Sequence, residues 1–279
     1  MQITGAMLDG YKEDGYLLVP ELFTSEEIAL IAEQLPSMLS EDSSGIIRET
    51  NGEVRSLYGA HQVNEVFDRL CRLNRILRPV QELLESDVYI HQSKVNIKKA
   101  FKGDWWEWHQ DFPYWRLDDG MPAPRVVSVM IFLDEITHFN GPLCLIPGSH
   151  KVGIVDFDNK ENVETEAGEQ FYLSSLSANL KYTVHPGIVA KWFNSRGVVV
   201  ATGKPGTALF FHGNVFHASN SNLSPADRKV FIVTYNSTEN KLGAVERERP
   251  SFLANRDTTP LALIPDEHFL PAQTVAGNG

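Results

Sequence analysis

A mainly β protein with flanking α-helices, its strands wrapped as a double-sheet jelly roll or barrel, is the fold this sequence predicts. Three observations carry the prediction. Beyond Asp87 the chain is a series of short runs rich in β-branched and aromatic residues, separated by turn residues. Before Asp87 the apolar residues recur at helical spacing. No Pro/Gly/Ser linker, repeat or low-complexity tract divides the 279 residues, so helices and strands are expected to share one core.

The segment Gly10–Pro20 reads as a short helix passing into a strand at Tyr16–Val19. Thr24-Ser25-Glu26-Glu27 has the form of a capping box, which predicts an amphipathic helix through Leu39. Ser40–Arg55, rich in Ser, Asp, Glu, Asn and Gly, reads as a surface loop. Helical spacing returns over Asn64–Leu84, where Val66, Phe67, Leu70, Leu73, Ile76 and Leu77 form one stripe and Pro79 is expected to interrupt. Strands are then expected at Val88–Ile90, Val95–Ile97, Arg125–Leu133, Val198–Val200, Thr207–Phe211 and Lys229–Tyr235. Asp156–Leu180, polar and acidic with some helix near Ser174–Leu180, reads as a lid over the β core. One domain over 1–279 is expected: a helical buttress at 1–86, a core at 87–260 and the lid or insertion near 156–187, with the oligomeric state open.

Charge narrows the function. Twenty-five Lys+Arg against 36 Asp+Glu give a net charge of −11, with no basic run or stripe, which argues against nucleic-acid binding and anionic-membrane docking and leaves a small molecule as partner. The N-terminus lacks the pattern of a signal peptide, and the longest apolar runs are too short to span a bilayer. Cys71 and Cys144, with no CxxC, are expected as free thiols in a reducing cytoplasm.

His109 is followed two residues later by a carboxylate, in Trp108-His109-Gln110-Asp111-Phe112. In a strand, residues i and i+2 share a face, so this pair is placed to bind one metal side by side. A histidine from Leu209–Ser219 would complete a two-His-one-carboxylate set, which suits non-heme Fe(II). Alone, such a tripeptide is better read as a surface hydrogen-bonded pair. Trp105, Trp106, Trp108, Phe112 and Trp115 put it in an apolar stretch, where charge needs compensation, although an aromatic core accounts equally for the cluster. Arg228, before the strand Lys229–Tyr235, suits a bidentate pair with the distal carboxylate of a 2-oxo acid, or else is a strand-edge surface residue. Arg249, Arg256 and Asp257 suit a zwitterion, or simply water.

Assembled, the sequence resembles the phytanoyl-CoA dioxygenase superfamily of Fe(II)/2-oxoglutarate oxygenases. The likeness lies in Tyr11–Tyr16, in Ile146-Pro147-Gly148-Ser149-His150 and in His217-Ala218-Ser219 with Asn222. Trp108–Phe112, Trp115 and Asp119-Gly120-Met121-Pro122 are similar to the ectoine hydroxylase signature, from which Gln110, Pro113 and Tyr114 depart. Arg55–Tyr58, Asp87–Gln92, Pro122–Arg125 and Arg256–Leu261 resemble free L-leucine 5-hydroxylases of natural-product pathways.

The resemblance implies a double-stranded β-helix (cupin-like jelly-roll) core and hydroxylation of an unactivated C–H bond by Fe(II), 2-oxoglutarate and O₂, releasing succinate and CO₂. It implies that His109, Asp111 and His217 hold Fe(II), that Asn96, Ser128 and Arg228 contact 2-oxoglutarate, and that Gln92, Trp115 and Arg249 face the primary substrate. Related halogenases carry Gly or Ala in place of the metal carboxylate; Asp111 is retained here, which implies hydroxylation. A leucine-like free amino acid is the expected substrate, with another small zwitterion such as an ectoine-like solute as the alternative. A non-catalytic jelly-roll binding protein is the reading from another class.

Overall fold

The computed structural model describes residues 3–40, 43–49, 52–159 and 180–270. α1 (Gly5–Asp14) leads into β1 (Tyr16–Val19), and α2 (Ser25–Ser40) follows. The capping box forms: Thr24 N–H donates to Glu27 Oε2 at 2.9 Å, and Glu27 N–H donates to Thr24 Oγ1 at 3.3 Å. The same carboxylate accepts Arg75 Nη1 at 2.9 Å and Nη2 at 2.5 Å, so the cap also ties α2 to a later helix.

The loop expected over 40–55 contains a hairpin instead, β2 (Ile46–Arg48) and β3 (Val54–Tyr58). Its polar composition disguised it: β3 pairs with the next strand at Ser56–Asn96, Leu57–Val95 and Tyr58–Lys94, Arg55 and Tyr58 line a cleft, and Ser56 Oγ–H donates to Asn96 Oδ1. α3 (Ala60–Val63), α4 (Glu65–Cys71) and α5 (Asn74–Leu84) come next. The break in this helical stretch falls at Arg72-Leu73, while Pro79 lies within α5. Ile264 makes the break: its N–H donates to Arg72 O at 2.8 Å and its carbonyl accepts Asn74 N–H at 3.0 Å. Pro79 removes a single intrahelical donor, which a helix packed on a core tolerates.

β4 (Val88–Lys98) runs unbroken through what reads as two strands. The remaining elements are β5 (Trp106–His109), α6 (Phe112–Asp119), β6 (Val126–Phe132), β7 (Leu143–Leu145), β8 (Phe157–Asn159), β9 (Tyr182–Val184), α7 (Pro186–Arg196), β10 (Val199–Ala201), β11 (Ala208–His212), β12 (His217–Ser219) and β13 (Arg228–Ser237). The lid expected near 156–187 falls largely on 160–179, outside the described residues; α7 follows that stretch.

Two antiparallel sheets form the jelly roll, one ordered β1-β11-β6-β13-β4-β3-β2 and the other β10-β7-β12-β5. Side-chain alternation divides the interior in two. Val127, Val129 and Ile131 of β6, with Phe231, Val233 and Tyr235 of β13, point to the helices and join Ile31, Leu35, Leu70, Ile76 and Leu77 in the larger core. Met130, Phe132, Val230 and Ile232 point the other way, against Leu145 and Ala201 of the second sheet. The cleft lies between the sheets on this second side. Among the described residues no helix is long and apolar enough to cross a membrane.

Candidate active site

The cleft encloses about 1070 Å³, mouth included, and β4 runs along one side of it. Gln92, Lys94, Asn96 and Lys98 alternate along that strand and all line the cleft, because a period of two sends every second side chain to one face.

His109, the last residue of β5, pairs in register with His217, the first of β12, and the two imidazoles stand 4.1 Å apart between centroids. Each is aimed by its own backbone: His109 Nδ1–H donates to Glu107 O at 2.7 Å and His217 Nδ1–H donates to Val215 O at 3.0 Å. Both Nε2 atoms are thereby turned toward Asp111 Oδ1, at 3.6 and 3.7 Å. One ligand atom from each of the three residues falls within 4.8 Å of the others.

Asp111 reaches this point by a different route from the same-face strand argument. Its φ of −75° and ψ of −37° are helical and it begins α6, so the turn from β5 into α6 swings the carboxylate back beside His109. Burial, reinforced by His109, pushes His217 down to about 4, leaving a neutral imidazole with a lone pair on Nε2. Burial alone would raise the Asp111 carboxyl, but His217, His109 and Lys94 outweigh it and hold Asp111 well below the usual carboxylate range. Two imidazoles and one carboxylate converging on one point fit Fe(II).

One end of the cleft is cationic. Arg228, buried at the start of β13, donates through Nη2 to Gly141 O at 2.5 Å and through Nε to Asn140 O at 3.4 Å, and burial pushes it down to about 10. Lys98 Nζ donates to Asp104 O at 2.6 Å and Asn220 O at 2.5 Å; burial, then Arg228 and Arg55, push it down to about 6. Gly141 makes this crossing possible. Its φ is +78°, and a Cβ there would stand 2.5 Å from Lys98 Cδ and 2.6 Å from Asn220 O. Met130, Ile136, Leu143 and Ile232 supply the apolar wall here. Asn96 lines it with its Oδ1 accepting Ser56 Oγ–H at 2.8 Å. Ser128 stands one layer back: it is not among the lining residues and shares a 2.9 Å hydrogen bond with Thr234 Oγ1, which is.

The other end is aromatic. Trp115, Tyr114, Tyr58 and Leu180 line it together with Gln92 and Arg249. Arg249 is buried, its Nε and Nη2 donating to the two oxygens of Asp119 at 2.7 and 2.6 Å. Arg256 donates to Gly243 O at 3.0 Å and the exposed Asp257 accepts from Thr259, so neither lines the cleft.

The departures from the ectoine-type signature have structural partners. Gln110 Nε2 donates to Gly153 O and Asn214 O, both at 2.8 Å, and Tyr114 Oη–H donates to Tyr182 O at 3.1 Å while accepting Tyr182 N–H at 2.9 Å. Lys98, Lys94 and Arg55 were given no role from sequence. For the two lysines the signal was available, as polar residues at period two, but it shows only when Val88–Lys98 is taken as one strand.

Comparison with known proteins gives the family. The family described as phytanoyl-CoA dioxygenase (PhyH) matches residues 11–230. The L-proline trans-4-hydroxylase of Streptomyces griseoviridis is 36% identical over 265 residues, covering 94% of this chain and 97% of that protein. The ectoine dioxygenase of Streptomyces avermitilis is 35% identical over 271 residues, covering 93% and 88%. Among solved structures, EctD from S. alaskensis with 2-oxoglutarate and 5-hydroxyectoine superposes with a TM-score of 0.79 at 31% identity, covering 94% of this chain and 88% of that one. The same enzyme with bound Fe gives 0.78 at 32% identity. With family model, relatives and solved structures matching along nearly its whole length, this chain belongs to the phytanoyl-CoA dioxygenase (PhyH) family of Fe(II)/2-oxoglutarate-dependent dioxygenases.

Proposed function

We propose that this protein hydroxylates an unactivated C–H bond of a free aliphatic amino acid of leucine-like type, with 2-oxoglutarate and O₂ as co-substrates. The observation that carries the proposal is the convergence of His109 Nε2, His217 Nε2 and Asp111 Oδ1 between a cationic and an aromatic end of one cleft. In this reading those three atoms hold Fe(II). The bound metal supplies the oxidising chemistry, in which 2-oxoglutarate yields succinate and CO₂ and one oxygen atom of O₂ enters the substrate.

The chain's own work is binding, orientation and exclusion of water. Arg228 and Lys98 pair with the distal carboxylate of 2-oxoglutarate, and Asn96 borders the same acid. Ser128 acts from behind, holding Thr234 by its hydroxyl. Arg249 takes the carboxylate of the amino acid, Gln92 supplies a polar contact, and the buried indole of Trp115 shields the aliphatic chain. One domain spanning 1–279, in a reducing cytoplasm where Cys71 and Cys144 stay unpaired, belongs to the same proposal.

A second reading has its own support: an L-proline hydroxylase and ectoine dioxygenases are among the relatives, which favours a cyclic zwitterion. The two are separated by incubating the protein with Fe(II), 2-oxoglutarate and, singly, L-leucine, L-isoleucine, L-valine, L-proline and ectoine, and following the mass gain of one oxygen atom. Leucine-like turnover is expected. Failure with every branched-chain amino acid sinks that reading, and turnover of proline or ectoine alone selects the second.

A further inference from the structure

The residues assigned to the amino acid come from three separate elements: Gln92 from β4, Trp115 from α6 and Arg249 from the C-terminal segment. A buried pair joins them. Asp119, at 1% exposure, lies four residues after Trp115 on α6 and spends both carboxylate oxygens inward. Oδ1 accepts Arg249 Nε at 2.7 Å, while Oδ2 accepts Arg249 Nη2 at 2.6 Å and faces His91 Nε2 at 3.2 Å. His91, fully buried, precedes Gln92 on β4, and its ring meets Trp115 edge-on at 5.6 Å between centroids. A two-point pair fixes a guanidinium in plane as well as in position, which a single contact cannot do.

We infer that Asp119, supported by His91, is the positioning residue of the substrate end, fixing the plane and depth at which Arg249 meets the amino acid's carboxylate. Neither residue lines the cleft, so both act through Arg249 and Trp115. The inference rests on the assignment of Arg249 to that carboxylate, and the experiment separates the two.

The full chain, loaded anaerobically with Fe(II) and 2-oxoglutarate, is titrated by calorimetry with L-leucine, L-proline and ectoine. Arg249→Met is expected to weaken the probe that binds by about tenfold or more. Asp119→Asn is expected to weaken it comparably, while 2-oxoglutarate affinity stays within about twofold and the double variant binds no worse than Arg249→Met alone. Additive losses in the double variant, or an equal loss of 2-oxoglutarate affinity, overturn the positioning role. His91→Gln covers the case in which Asp119→Asn does not fold: a smaller loss confined to the amino acid supports the inference, and no loss overturns it. Unchanged binding by Arg249→Met overturns the assignment of Arg249 itself. Binding of none of the three probes ends the zwitterion reading and this inference with it.

Discussion

Arg228→Met is the substitution on which the co-substrate assignment turns. Arg228 is 4% exposed, and its bonds to Gly141 O and Asn140 O order the guanidinium before any acid arrives. A pre-ordered fork loses little freedom on meeting a carboxylate, and truncating one partner of such a buried pair costs about 2–5 kcal/mol. At about 1.4 kcal/mol per factor of ten, that is a roughly 30-fold to 4000-fold rise in KM for 2-oxoglutarate. The lower part of the range applies, because Lys98 lines the same end of the cleft and retains part of the attraction. Two buried carbonyls also lose a donor, so stability should fall by about 1 kcal/mol for each. Arg228→Lys keeps a charge without the fork and should recover only part of the affinity. The assay is succinate formation against 2-oxoglutarate concentration at saturating amino acid, run beside thermal unfolding. A folded Arg228→Met protein whose KM for 2-oxoglutarate stays within about threefold of the parent, a difference below 1 kcal/mol, refutes the reasoning.

Asp111→Ala is expected to lower succinate formation by at least about a hundredfold and to abolish Fe(II) binding in anaerobic titration; intact substrate hydroxylation would show that the metal lies elsewhere. Lys98, held near 6 in the ligand-free protein, is largely unprotonated at neutral pH, and an incoming carboxylate favours its charged form. Binding of 2-oxoglutarate at about pH 7.5 should therefore take up close to one proton, read as a buffer-dependent enthalpy that disappears in Lys98→Met. The sign carries to stability: an unfolded lysine titrates near 10.4, so between about 6 and that value the unfolded chain binds more protons and the ligand-free protein gains stability as pH rises. The same pH profile in Lys98→Met would rule out Lys98 as its source.

Much of the fold could be read directly where a local rule and the tertiary structure agree. Thr24 and Glu27 form their reciprocal cap within a four-residue span. The β-branched runs of β6, β11 and β13 lie within one residue of their expected starts, apart from the longer reach of β13 to Ser237. Where distant chain supplies the partner, local reading failed. The hairpin β2–β3 is polar because β4 and a cleft cover it, the helical break sits at Leu73 because Ile264 takes the neighbouring backbone groups, and Asp111 begins a helix that no strand argument foresees.

The sequence by itself determined the class of the protein, the residue types of the candidate metal triad and the presence of arginines suited to carboxylates, since these depend on chemistry carried by short motifs. Only the tertiary structure decided which groups meet: that His109 faces His217 across paired strands, that Lys98 joins Arg228 at one end, that Ser128 stands behind Thr234, and that Arg249 is held by Asp119 from a helix 130 residues earlier. Strand register and long-range ion pairs are set by the joint packing of distant segments, and no local window of the chain contains both partners.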